Sequence, residues 1–81
     1  MNDDALYIQL TEIFRDVFDD DDLVVTPQLT ADDVEEWDSL NHIRLVVAVE
    51  KRLRLKFSAA EVGRLKNVGE FAALIQSRAM A

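Results

Sequence analysis

The apolar residues of this chain recur at helical spacing over most of its length, and this periodicity constrains the fold more than any other feature of the sequence. Over residues 4–18 they follow one another at steps of four, three, one and three, which places on one helix face Leu6, Leu10, Ile13, Phe14 and Val17. Strict alternation of apolar and polar residues, which indicates a strand, is almost absent. We therefore expect an all-α fold.

The second predicted helix runs from Ser39 to about Leu53 and has an apolar face and a polar face. Six residues form a broad apolar arc, which we expect to face the core: Leu40, Ile43, Val46, Val47, Val49 and Leu53. The opposite, outward face groups Asn41, Arg44, Ala48, Lys51 and Arg52. Either Asp38 or Ser39 caps this helix, because a short oxygen-bearing side chain satisfies the free N–H groups of a first turn.

Two shorter helical segments follow. Ser58 and Glu61 form the two ends of a capping box, which opens a short helix near residues 59–65. A second capped start at residues 67–70 opens the last helix, whose predicted inner face consists of Val68, Phe71, Leu74 and Ile75. Together, the four predicted helices indicate one domain over residues 1–81, an all-α bundle of three main helices plus one short helix.

A long acidic segment, residues 19–37, separates the first two helices. It begins with four consecutive aspartates and contains Pro27, which disfavours helix at the residue before it. The aspartates do not match a calcium-binding EF-hand loop, because Val24 lies where that loop needs glycine and Thr30 where it needs a glutamate. We expect a solvated loop that Trp37 closes onto the bundle as a core residue, and Trp37 can at the same time line a groove for an apolar ligand.

The charge of the chain is unevenly distributed. Its 81 residues have a formal net charge of −7, with −12 over residues 1–38 and +5 over residues 39–81, so the sign changes at Ser39. An acidic chain of this kind does not bind nucleic acid through bulk electrostatics. The absence of cysteine excludes disulfides, thiolate metal sites and cysteine nucleophiles. The acidic N-terminus and the lack of a long apolar run favour a cytoplasmic protein.

Ser39 lies where the acidic loop meets the second helix, and three roles are open to it: helix cap, nucleophile, or attachment point for a group that another enzyme adds. His42 is three residues away and therefore a neighbour on a helix, so a Ser–His pair is conceivable. No nucleophile elbow surrounds Ser39, however, and no oxyanion hole is evident. A serine hydrolase is therefore disfavoured, and His42 is expected to be a partly buried structural residue.

The order of these elements resembles the acyl carrier protein family. A first amphipathic helix and an acidic loop lead to Asp38-Ser39-Leu40, then to the apolar spacing of Ile43 and Val47, and finally to a capped short helix. In that family the serine of the Asp-Ser-Leu motif carries 4′-phosphopantetheine, so the resemblance implies that Ser39 is the attachment point and that Asp38 and Leu40 complete the motif. The start of a helix also favours a phosphate group.

The resemblance implies a carrier rather than an enzyme. A phosphopantetheinyl transferase adds the arm and supplies the Mg²⁺, and an acyl-loading ligase or acyltransferase attaches the cargo. A ketosynthase or another acyl-processing enzyme then receives it. The cargo is a fatty, polyketide or other acyl group; a peptidyl or aminoacyl carrier is the alternative within the class. A helical protein-interaction module in which Ser39 is only a cap is the alternative outside it.

The second helix departs from the pattern of carriers in fatty-acid synthesis, whose corresponding helix is acidic. Here the outward face presents cationic and amide side chains, which we predict as partner contacts: Asn41, Arg44, Lys51 and Arg52. This reversal suggests a stand-alone, specialised carrier whose partners present acidic or neutral surfaces to the helix; the alternative is that partners bind the acidic loop that ends at Asp38.

Overall fold

The structure is a computed structural model that describes residues 3–79, so Met1, Asn2, Met80 and Ala81 lie outside the described part. Within residues 3–79 the chain forms four α-helices, one 3₁₀ turn at Ala31–Asp33 and no strand. The helices are α1 (Asp3–Val17), α2 (Ser39–Leu53), α3 (Ala59–Gly63) and α4 (Val68–Ala79). The predicted all-α bundle of three main helices and one short helix is confirmed.

One hydrophobic core joins the three long helices. Its buried residues come from all three and from the loop between α1 and α2, but none comes from α3. Phe14 on α1, Leu45 on α2 and Phe71 on α4 are all at most 1% exposed. Because α3 contributes no fully buried side chain, the hydrophobic effect holds it less firmly than the other helices.

The orientation of α2 differs from the prediction. Its buried residues are Leu45, Val46 and Val49, whereas Leu40 and Ile43 are 59% and 61% exposed. The predicted apolar arc was too wide to be buried as a whole: Leu40 and Val49 lie nine residues apart, about 180° around the helix axis. The core takes the side centred on Val49 and leaves the other side in solvent.

Contacts with both α1 and α4 help to fix the loop between α1 and α2 to the bundle. Trp37 packs against Phe14 and Phe18, with ring centroids 5.3 and 5.9 Å away, which confirms its role as a closing residue of the core. Farther back, the Gly69 N–H donates to the Pro27 carbonyl at 2.9 Å. An ideal Cβ on Gly69 would lie 3.1 Å from that carbonyl oxygen, so this crossing of loop and α4 favours glycine.

Helix α3 is shorter than predicted and ends at Gly63 rather than near Leu65. The predicted capping box is present: Ser58 Oγ accepts from the Glu61 N–H, and the Glu61 carboxylate accepts from the Ser58 N–H at 2.9 Å. Glu61 also pairs with Arg78 of α4. These bonds favour the charged carboxylate, so the Ser58 backbone N–H first and Arg78 second lower the pKa of Glu61 below its usual 4.5.

Glu61 should therefore make the stability of the protein depend on pH. A carboxyl whose pKa is lowered by folding stabilises the folded state above its unfolded pKa, and this contribution is lost as the pH falls through the folded value. Glu61→Gln should unfold more easily than the wild type at neutral pH, and the difference should shrink in acid, below about pH 4.5. Urea unfolding of both proteins across this range measures it. A difference that stays constant down to acid pH would contradict the assignment.

Candidate functional site

The sequence left open whether Asp38 or Ser39 caps α2, and the structure assigns the cap to Asp38. Asp38 is the N-cap of α2: its backbone is extended, and its carboxylate Oδ1 accepts from the Asn41 N–H at 2.8 Å. The Asp38 carbonyl also accepts from the His42 N–H at 2.8 Å, which closes the first helical turn. Ser39 is the first residue of the helix proper and does not cap it.

The Ser39 side chain is exposed, and its hydroxyl makes no hydrogen bond to any part of the chain that the structure describes. Since Asp38 already satisfies the Asn41 N–H, the hydroxyl is left without a structural task. Leu40 beside it is 59% exposed. The N-terminal end of α2 carries the positive end of the helix dipole, which favours a negatively charged group such as a phosphate at this position. Ser39 therefore presents an accessible hydroxyl at the end of α2 that favours an anionic group.

A pocket of about 550 Å³ opens directly beside Ser39, between α2 and α3. Ile43 lines it from α2, Val62 from α3 and Leu65 from the turn after α3. Trp37, which packs against the core, and His42 also line it, as does Lys66. The lining of the pocket is mostly apolar and includes Ser39.

Two aromatic side chains in the pocket wall form a chain of hydrogen bonds. The Trp37 Nε1–H donates to His42 Nδ1 at 3.0 Å, and His42 Nε2 lies 3.0 Å from the Val62 carbonyl oxygen. An indole nitrogen only donates and a carbonyl oxygen only accepts, so the partners assign a neutral imidazole with its proton on Nε2. His42 is half-buried and structural, as expected from the sequence.

This arrangement gives no support to hydrolytic chemistry. Both ring nitrogens of His42 are engaged, by Trp37 and by Val62, and neither contacts the Ser39 hydroxyl. A nucleophilic serine needs a base within hydrogen-bonding reach. Within residues 3–79 there is also no group of histidine, aspartate or glutamate side chains arranged to hold a metal ion.

The four predicted partner contacts on α2 lie in different surroundings. Arg44 and Lys51 are exposed and have no hydrogen-bonding or ionic partner among the described residues. Arg52 instead pairs with Glu12 of α1, so it links the two helices. Asn41 is half-buried, and its amide donates to the Glu36 carbonyl at 2.6 Å, which ties the end of the loop to α2. Two of the four are thus free on the surface, and two already have partners within the chain.

Three apolar side chains share the outward side of α2 with these cations, and the sequence interpretation missed their exposure. Leu40, Ile43 and Val47, here called the outer stripe, are 59%, 61% and 40% exposed. They follow Ser39 at the i, i+3, i+7 spacing of one helix face. The width of the apolar arc was the indication in the sequence. Its residues reach opposite sides of α2, and a helix that packs on one side cannot bury them all.

Of three comparisons with known proteins, the one with solved structures gives a match. No model of a protein family matches the chain, and no curated protein matches it. Among solved structures, it is similar to the solution NMR structure of a holo acyl carrier protein from Geobacter metallireducens. The two chains share 44% sequence identity and superpose with a TM-score of 0.84, over 89% of this chain and 83% of the other. None of the helices in the described part is both long and apolar enough to cross a membrane.

Proposed function

This chain belongs to the acyl carrier protein family, and from that premise we propose that it carries acyl intermediates as thioesters on a 4′-phosphopantetheine arm attached to Ser39. The observation that carries the proposal is the exposed Ser39 hydroxyl, which lies at the first turn of α2 beside an apolar pocket and has no hydrogen-bond partner among the described residues. When bound, the arm supplies the thiol that this cysteine-free sequence lacks.

The residues around Ser39 fit such a group. Its ester would carry a phosphate at the positive end of α2, where the helix dipole stabilises negative charge. Because Asp38 performs the capping, modification of Ser39 removes no hydrogen bond that the helix depends on. We assign Asp38 a second role in the transferase complex, where its carboxylate helps to assemble the metal site. Leu40 is exposed next to Ser39 and completes the surface that the transferase recognises.

We propose that the outer stripe and its neighbouring cations form the contact surface for partner enzymes. Leu40, Ile43 and Val47 supply apolar area, and Arg44 and Lys51 supply free positive charge on the same side of α2. Exposed apolar residues ringed by charge are typical of protein-binding sites. Partners of this carrier, whether its transferase, a loading ligase or acyltransferase, or a ketosynthase, would then present acidic or neutral groups to α2. Asn41 and Arg52 would contribute less, since both already have partners within the chain.

Charge reversal tests this surface. Arg44→Glu combined with Lys51→Glu should slow the association of the carrier with its cognate transferase by roughly tenfold at low salt, and the difference should shrink as salt rises. Stopped-flow measurements of the association rate over a salt series give both quantities. Each single variant, Arg44→Glu or Lys51→Glu, is compared with the control Lys56→Glu, which makes the same change of net charge at an exposed cation outside α2. Equal rates for the double variant and the wild type at every salt concentration would refute the assignment of this face.

The carrier function itself is tested by a transfer experiment. The purified chain is incubated with octanoyl-coenzyme A and a broad-specificity phosphopantetheinyl transferase, and the product is then treated with neutral hydroxylamine. The proposal predicts that the intact mass rises by one octanoyl-phosphopantetheine group, and that hydroxylamine then removes the octanoyl group and leaves the arm. A product that resists hydroxylamine, or a chain that gains no mass, would contradict thioester carriage.

A further inference from the structure

Most of the cationic side chains of this protein have no partner in the part of the chain that the structure describes. Of its nine lysines and arginines, Arg52 and Arg78 form ion pairs, and the Arg15 guanidinium donates to a carbonyl of the loop between α1 and α2. The other six are Arg44, Lys51, Arg54, Lys56, Arg64 and Lys66. Within this set Lys66 is the one that lines the pocket beside Ser39. It therefore shares a surface with the proposed attachment point.

The turn between α3 and α4 holds the backbone of Lys66 and leaves its ammonium group free. The Lys66 N–H donates to Glu70 Oε1 at 3.2 Å, and Asn67 Oδ1 accepts from the Glu70 N–H at 2.9 Å. The Val68 N–H donates to the Leu29 carbonyl at 2.9 Å, which attaches this turn to the loop between α1 and α2. The Lys66 side chain is exposed and forms no ion pair with a described residue. The fold thus fixes where this cation begins but provides no carboxylate for it.

A phosphate on Ser39 would lie beside an acidic segment of the chain. Asp38 lines the same pocket, and Glu35 and Glu36 are exposed shortly before it. Like charges repel one another, and the start of α2 offsets only part of this repulsion, because its dipole is equivalent to about half an elementary charge. Among the described residues, Lys66 is the only lysine or arginine in the lining of the pocket. It supplies the full positive charge that complements a phosphate there.

The chemistry of lysine suits this task. Its ammonium is a compact charge on a flexible stem, so a change of rotamer brings it toward an oxygen on Ser39 across their shared pocket of about 550 Å³. Hydrogen bonds between an ammonium and a phosphate oxygen are charge-assisted and stronger than those between neutral groups. The side chain loses rotamer freedom when it pairs, so the net gain is that of an exposed ion pair.

We propose that Lys66 is a binding residue for the phosphate of the prosthetic group: its ammonium pairs with the phosphate that esterifies Ser39 and connects the base of the arm to the turn between α3 and α4. The inference rests on the proposed attachment of the arm at Ser39, and it concerns the phosphate rather than the cargo. Because the phosphate is then held at the serine and at the ammonium, the pairing restricts the directions in which the arm leaves the protein.

The first test observes the ammonium groups by NMR. The sequence contains three lysines, Lys51, Lys56 and Lys66, so isotope labelling of lysine side chains gives three sets of signals that single replacements assign. Attachment of the arm should shift the Nζ and Cε signals of Lys66. Those of Lys51 and Lys56 should stay in place, because neither residue lines the pocket. An unchanged Lys66 signal in the modified protein would refute the pairing.

The second test measures urea unfolding with and without the arm. Attachment should raise the ratio of folded to unfolded protein by a factor that is about two- to fivefold larger in the wild type than in Lys66→Gln at low salt. The difference should shrink as salt rises. Lys66→Arg keeps the charge and should behave like the wild type, as should the matched control Lys56→Gln, which changes an exposed lysine outside the pocket. Equal gains in the wild type and Lys66→Gln would contradict the pairing.

A third arm of the experiment separates this inference from the proposed function. Failure of the transferase to modify the wild type would contradict the proposed function rather than the pairing. The Ser39→phosphoserine variant, made by genetic encoding of the modified residue, carries a phosphate at the same oxygen without any transferase. Its Lys66 signals should shift relative to those of the unmodified chain. The absence of that shift would overturn the inference whether or not the wild type accepts the arm.

Discussion

Leu45→Ala should lower the free energy of unfolding by about 2–5 kcal/mol, whereas Leu40→Ala on the same helix should change it by less than about 0.5 kcal/mol. The two replacements delete the same atoms from α2. Leu45 is fully buried, so its loss leaves a cavity among well-packed neighbours, while Leu40 is 59% exposed and leaves none. The contrast therefore isolates burial from helix propensity, which is identical in the two cases.

The expected loss at Leu45 is large for a chain of this size. Small domains are stable by only about 5–15 kcal/mol, so one such cavity removes a substantial part of the total. Urea unfolding followed by the fluorescence of Trp37 measures both variants, because this single tryptophan packs on Phe14 in the core. A larger loss at Leu40 would show that α2 faces the core with the side predicted from its apolar arc, and similar losses for the two variants would contradict the difference in burial.

Periodicity predicted the fold, and the starts of α2, α3 and α4 coincide with capping residues that the sequence also indicates. Ser58 and Glu61 form the predicted capping box of α3, and the Asn67 side chain accepts from the Glu70 N–H at 2.9 Å at the start of α4. Such caps depend on residues three positions apart, so a sequence contains all the information that determines them. The end of α3 was less predictable, since Gly63 weakens a helix without fixing where it stops.

The direction in which α2 faces was not predictable in the same way. Hydrophobicity ranks Leu40 and Leu45 as equals, and only the tertiary packing of α2 determines that Leu45 is buried and Leu40 is exposed. An exposed apolar residue is unremarkable for a soluble protein, and its significance appears only when neighbours on the same face are exposed as well. The sequence identifies the residues of the outer stripe as apolar, but their shared exposure is seen only in the structure.

At the candidate site, too, the sequence predicted local features but not those that depend on tertiary packing. Ser39 was identified from its position in the Asp38-Ser39-Leu40 motif, and the structure shows that the capping task falls to Asp38. The link from Trp37 through His42 to Val62 spans 25 residues of sequence and depends on the tertiary position of α3. Nothing in the local pattern around His42 indicates that contact, because it arises only once the short helix has packed against α2.

The second large effect is expected on loading of the phosphopantetheine arm at Ser39. Ser39→Ala should abolish loading by the transferase, since no other hydroxyl occupies the first turn of α2. The matched control is Ser58→Ala, which removes another exposed serine from the start of a helix. Ser58 caps α3 by accepting from the Glu61 N–H at 3.1 Å, so its loss should lower stability by about 0.5–2 kcal/mol without affecting loading. The pair separates a serine that caps from a serine that accepts a group.

Intact mass spectrometry after incubation with coenzyme A and a broad-specificity phosphopantetheinyl transferase tests the central claim most directly. The wild type and Ser58→Ala should each gain the mass of one phosphopantetheine group, and Ser39→Ala should gain none. A wild-type chain that stays unmodified under these conditions, or an adduct that persists in Ser39→Ala, would contradict the assignment of Ser39 as the carrier residue.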